Sequence, residues 1–128
     1  MQTDHSTHGV DRSKISVMLM KLFDHWGLNS TQMLGLLGYS PTNRGLLSDY
    51  RSGKPLANDR DKLERAGILL GIHKTLRLLF PHNRQLAYTW MTQTNRAFGG
   101  LSPVTVAEKY GIMGLHQVRS YLDVQRGR

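Results

Sequence analysis

The stretch from Leu63 to Phe80 limits the possible folds more than any other part of the chain. Leu63, Ile68, Leu69, Leu70, Ile72, Leu76, Leu79 and Phe80 recur at helical spacing, yet they occupy more than one face of the helix they predict. Such a helix must be surrounded by neighbours, or pair with another copy, because too much of it is apolar to face water. Asn58 is the expected cap. Asp59 and Asp61 fall in the first turn, where the helix dipole favours negative charge, and Pro81 ends the element. A helix of this length joins the two halves of the chain and leaves no flexible linker between them. No alternating strand pattern occurs anywhere, so the expected class is all-α.

Upstream, residues 1 to 12 read as a polar, disordered leader. A first helix is expected over about 13–26, with Ile15, Leu19, Leu22 and Trp26, together with Met18 and Phe23, as its apolar face. Asn29 and Gln32 form a variant capping box for a short helix ending at Leu37, where Gly38 stops it. Within that helix, Gly35 is placed to let another helix come close. Ser40-Pro41 reads as cap and first residue of a third helix, reaching about Tyr50. Short helix, glycine turn, short helix is the layout of a helix-turn-helix, whose second helix normally presents side chains to base edges. Thr42, Asn43, Arg44, Ser48 and Arg51 are expected to face outward. Asn43 and Arg44 are candidates for base readout, and Arg51 and Lys54 for phosphate contact.

Downstream, Asn83 opens a helix through Leu86, Trp90 and Met91. Trp90 to Pro103 then holds a helix end, a polar turn, the pair Gly99-Gly100 and a new start at Ser102-Pro103. Asn95 and Arg96 are held on this loop, which Trp90 and Phe98 can anchor by burial. A short helix follows over Pro103 to Tyr110, ended by Gly111. A last helix over about 114–124 is set by Leu115, Val118 and Leu122, and Gln125-Arg126-Gly127-Arg128 forms a basic end. The expected division is a leader over 1–12, a helix-turn-helix unit over 13–65 and a second helical unit over 66–128.

The formal net charge is +8, unevenly spread. Residues 1–65 hold nine Lys and Arg against seven Asp and Glu; residues 66–128 hold eight against two. A basic chain favours a polyanionic partner or an acidic protein surface. There is no Cys, which excludes disulfides, thiolate metal sites and a Cys nucleophile. The six His show no ligand spacing, so no metal is expected. With only Glu108 and Asp123 acidic in the second half, a two-carboxylate site is not expected there, and no phosphate loop or nucleophile elbow is present. The chain reads as a binder, not an enzyme, and no cofactor is expected. Met1 to Val10 lacks the apolar region of a signal peptide, and no apolar run has the length of a membrane span, so a cytoplasmic protein is expected.

Trp90, Thr94-Asn95, Gly99-Gly100, Ser102-Pro103, Gly111-Ile112 and the ending Tyr121-Leu122-Asp123, in that order over roughly 66–125, resemble the toxin-binding domain of the Xre/MbcA/ParS antitoxins. The first half resembles the Xre-type DNA-binding domain. The resemblance implies the antitoxin of a type II toxin–antitoxin pair. Its partner would be a cognate RES-domain toxin that consumes or transfers from NAD, blocked sterically. It also implies a homodimer that represses its own operon by binding operator DNA. Asn95, Arg96, Gly99 and Gly100 would then lie at the toxin, with Arg126 and Arg128 near its active-site entrance. Two alternatives stand beside it: a stand-alone helix-turn-helix regulator, and an interaction module that binds a protein and no DNA.

Overall fold

Local capping sets most of the helix ends. In the computed structural model the backbone is described for residues 3–127 and the side chains for residues 12–127, and every regular element among them is helical. The order is α1 (Thr3–His25), α2 (Ser30–Leu37), α3 (Gly45–Arg51), α4 (Arg60–Leu79), α5 (Arg84–Thr89), two single 3-10 turns at Trp90–Thr92 and Arg96–Phe98, and α6 (Pro103–Arg126). The all-α class is as expected. Helix α1 runs from Thr3, although the sequence predicts a leader as far as residue 12; Met1 and Gln2 lie outside the described residues.

Helix α2 shows the capping box in full. The Asn29 side chain accepts the Gln32 N–H at 2.8 Å, and the Gln32 side chain accepts the Asn29 N–H at 2.9 Å. Gly38 closes the other end at φ 82°, in the left-handed region. There α4 reaches in: Arg65 donates to the Leu36 carbonyl at 3.2 Å and Lys62 to the Gly38 carbonyl at 3.4 Å. Asp61 holds both cations, at 2.9 and 3.0 Å. Two positive groups at a helix C-terminus complement its dipole and supply partners for its last carbonyls.

The third helix starts later than Ser40-Pro41 predicts. The Ser40 hydroxyl accepts the Thr42 N–H at 3.3 Å, and Asn43 N–H donates to the Ser40 carbonyl at 3.0 Å. These bonds close a turn, so α3 begins only at Gly45 and is seven residues long. The cap of α4 is likewise Asp59, whose carboxylate accepts the Asp61 N–H at 3.0 Å, and not Asn58. In α1 the buried face is Ser16, Leu19, Met20, Leu22 and Phe23, continued by Trp26 just beyond its end. It is rotated from the predicted one, leaving Met18 half exposed.

Helix α4 is the centre of the molecule, packed on α6, α5, α1 and α2. Ala66, Ile68, Leu69, Ile72, Thr75 and Leu76 are buried along it, and only Leu63 and Leu78 among its large apolar side chains are exposed. One cluster of buried residues runs from Leu19 to Leu122, so the expected division at 65/66 falls inside α4. Helix α2 packs mainly on α6, with the Glu108 side chain lying against Gly35, the close approach that glycine was expected to permit. Helix α3 packs on α1.

The last long helix is bent. Gly111 has φ 63° and ψ −139°, outside helical space and open only to glycine at low cost, as expected of a stop at this position. It divides α6 into an arm over 103–110 and an arm over 112–126. The arms touch at Gly114, where an added Cβ would overlap the Val106 carbonyl oxygen and lie 3.0 Å from the Ala107 Cα. Backbone cannot move aside as a side-chain tip can. Gly114→Ala is therefore expected to lower unfolding stability by about 2 kcal/mol, an overpacking cost, read by urea denaturation. Gly67→Ala, where a Cβ meets nothing within 4 Å, should be neutral or mildly stabilising.

Candidate functional site

Asn95 is the keystone of the loop between α5 and α6. Its side chain accepts the Ala97 N–H at 2.9 Å, and its carbonyl accepts from Phe98 and Gly100, both at 3.0 Å. Its own N–H donates to the Leu101 carbonyl at 3.0 Å. Gly99 at φ 66° and Gly100 at φ 88° make the reversal that brings Leu101 back onto Asn95. These bonds all lie within the loop, so Asn95 holds its shape, and its side-chain amide nitrogen takes no part in them. Arg96, next to it, is exposed and has no carboxylate partner among the described residues.

Below the loop three rings meet. Trp90 stacks on Tyr121 with centroids 6.2 Å apart, Phe98 meets Tyr121 edge-on at 5.3 Å, and Trp90 meets Phe98 edge-on at 6.4 Å. The loop is thus clamped to the second arm of α6. Sequence reasoning named Trp90 and Phe98 as the anchor and gave Tyr121 no part in it. Tyr121 follows Val118 by three residues on a helical stripe, the signal that could have found it. Beside the clamp lies a cleft of about 310 Å³ lined by Ala97, Phe98, Gly99, Leu101, Val106, Tyr110 and Gln117.

Both acidic groups in this half are exposed. The Glu108 carboxyl lies over Gly35, and partial burial raises its pKa. Asp123 lies 4.0 Å from Arg119, which crosses Gly71 and donates to the Gly67 carbonyl at 3.4 Å. Of the tail residues, Arg126 is exposed and Arg128 lies outside the described residues. A second concavity, about 200 Å³, lies between α1, α4 and α5. There Tyr88 stacks on His25 at 4.5 Å and on His73 at 6.3 Å. Burial is the main reason the His73 pKa is lowered, with Arg77 and His25 adding to it. Among the described residues no three His, Asp or Glu side chains are grouped as metal ligands would be.

The DNA candidates are dispersed. Thr42, Asn43 and Arg44 lie in the turn before α3, all exposed, and Ser48 is exposed on α3. Arg51 is committed elsewhere: it pairs bidentately with Asp24 of α1 at 2.7 and 2.9 Å and reaches the Met33 sulfur of α2 at 3.9 Å. One side chain so ties three helices. Lys54 lies 3.6 Å from Asp49. Neither of the two phosphate candidates is an isolated cation.

The Arg51 hydrogen bond holds the Asp24 pKa below its usual value. A depressed folded pKa stabilises above the unfolded value and the benefit is lost as pH falls through the folded value. Arg51→Ala should therefore lower stability at pH 7, by less than about 1 kcal/mol for a half-exposed pair. The gap from the unsubstituted chain should close on acidification below the ordinary carboxylate range, read by denaturation at successive pH values.

Residues 75–128 match the family model described as the antitoxin Xre/MbcA/ParS C-terminal toxin-binding domain. The match takes in the end of α4, all of α5, the glycine loop and α6. Over 125 residues the chain is 30% identical to y4oB of Sinorhizobium fredii, a protein named only as uncharacterized, covering 95% of this chain and 94% of the relative.

Proposed function

The chain belongs to one family with y4oB and carries at residues 75–128 a match to the Xre/MbcA/ParS toxin-binding domain, and from that premise we propose that it is the antitoxin of a type II toxin–antitoxin pair. The single observation that carries this reading is that the matched segment coincides with the clamped loop, its exposed Arg96 and the whole of α6. The toxin would be a RES-domain enzyme that consumes NAD, and inhibition would be steric. Arg96 and the backbone of Gly99 and Gly100 would contact it directly, while Asn95 keeps the loop in shape. The basic end, Arg126 and Arg128, would occupy the place of the cofactor's pyrophosphate at the toxin's entrance. No chemistry by this chain is needed.

Co-expression with the adjacent reading frame tests the pairing. Pull-down of a toxin by the tagged chain, with restored growth, is the expected result. Absence of any toxic neighbour would refute it. Removing residues 125–128 should weaken neutralisation; unchanged neutralisation would discard the role of the tail and leave the pairing intact.

A homodimer that binds operator DNA with toxin attached is the regulatory half of the proposal. The exposed turn with Thr42, Asn43 and Arg44, followed by Ser48 on α3, supports it. The same surface would serve a stand-alone regulator, and a module with no DNA partner would leave it idle. Arg44→Ala should weaken binding to the upstream DNA in a gel shift, and the affinity of the unsubstituted chain should fall steeply with salt. No shift at low salt would leave only the protein-binding function.

A further inference from the structure

The outer face of the second arm of α6 has a pattern that the fold does not require. Met113, Gln117, Ser120 and Val124 are spaced four, three and four residues apart, so they share one helix face over about 16 Å. All four are exposed, Met113 at 70% and Val124 at 53%. None is charged, in a chain with net charge +8. The stripe begins at the bend, where Tyr110 is 53% exposed, and Tyr110 and Gln117 both line the cleft floored by Phe98, Leu101 and Val106. It is therefore one uncharged strip of helix surface, apolar at Tyr110, Met113 and Val124 and polar at Gln117 and Ser120 between them.

Cations stand at its cleft end. Lys109 sits 5.4 Å over the Tyr110 ring, and Arg96 adjoins the cleft residue Ala97. Lys109 and Arg96 have no carboxylate partner among the described residues; the side chain of Glu108, next to Lys109 in sequence, lies against Gly35 on the side of α2. A second copy of the chain fits this badly. Two such stripes pairing parallel put each Lys109 against the other, and pairing antiparallel leaves the Lys109 and Arg96 of both copies still facing solvent.

The geometry points to one occupant: a helix-receiving groove on the toxin, with an apolar floor for Met113, Tyr110 and Val124 and an acidic rim for Lys109 and Arg96. The assignment rests on the toxin-binding reading and specifies which face of the domain makes the contact. Helix-in-groove recognition of this kind uses apolar anchors at three- and four-residue spacing, with Met and Tyr common among them.

Titration of the full chain with the purified toxin from the neighbouring reading frame tests it. Met113→Asp and Val124→Asp should each raise Kd by about 10-fold or more, as loss of a central anchor does. Leu78→Asp, an equally exposed position on α4, should leave Kd within about 2-fold. Melting curves of the three variants should overlay that of the parent. Kd should rise with salt, and a salt-independent Kd would overturn the acidic rim. If Met113→Asp binds as the parent does, the stripe is not the contact and the antitoxin reading survives. Should the parent itself not bind, that reading falls and takes the stripe with it. A Met113→Asp chain that loses dimerisation while keeping its toxin affinity would show self-pairing and overturn the proposal.

Discussion

The closeness of the two arms of α6 governs the rest of the molecule. Gly114 lies so near the Val106 carbonyl that no side chain fits between them, and Gly111 provides a bend that other residues could adopt only under strain. With the arms fixed at this angle, the first arm lies against α2 through Glu108 and Gly35, and the second along α4, where Arg119 rests on Gly67 and Gly71. Tyr121 on the second arm then stands where Trp90 and Phe98 can close on it. The loop geometry is thus a consequence of helix packing as much as of its own glycines.

The elements best legible in the sequence are those whose ends are decided within a few residues. Asn29 with Gln32, Gly38, Ser102 with Pro103, and Gly111 all act where spacing places them, because each acts through neighbouring backbone groups. Ser40-Pro41 has the same local signature but opens a turn, since Thr42 and Asn43 bond back to Ser40 before a helical turn can form. Met18 and Met20 exchange roles because a small rotation of α1 is set by its neighbours and is invisible in periodicity alone. Arg51 is the clearest limit. Nothing near it in sequence marks Asp24, 27 residues away, as its partner, so a cation that reads as solvent-facing turns out to be a fastening. In the candidate site, Asn95 and Arg96 are both legible as loop residues, but that Asn95 ties the loop together while Arg96 is left exposed depends on bonds to Ala97, Phe98, Gly100 and Leu101.

The charge of the second half acquires a meaning from these contacts that its total does not have. Of its two carboxylates, Asp123 lies 4.0 Å from Arg119, while Glu108 is exposed with its side chain against Gly35 and has no cation partner among the described residues. Arg96, Lys109 and Arg126 are exposed without a carboxylate partner among the described residues, so cations outnumber carboxylates on the surface of this half. Exposed pairs contribute little to stability, so such an arrangement costs the fold almost nothing. On the proposed function it would steer encounter with an acidic surface, an effect that acts on association rate before any contact is made.

The DNA-candidate turn and the toxin-candidate loop sit on one body. Helix α4 crosses the expected boundary without interruption, α2 packs on both α4 and α6, and Lys62 and Arg65 fasten the end of α2 to the start of α4. Asn43 and Arg44 therefore keep a fixed orientation relative to Arg96, since no linker lies between them to absorb a change. Two partners bound at these places would meet each other at a separation the core dictates. Any influence of one on the other must then come through direct contact between them or through a shared change in how α2, α4 and α6 pack. Packed interiors respond to such demands by discrete rearrangement and not by gradual bending.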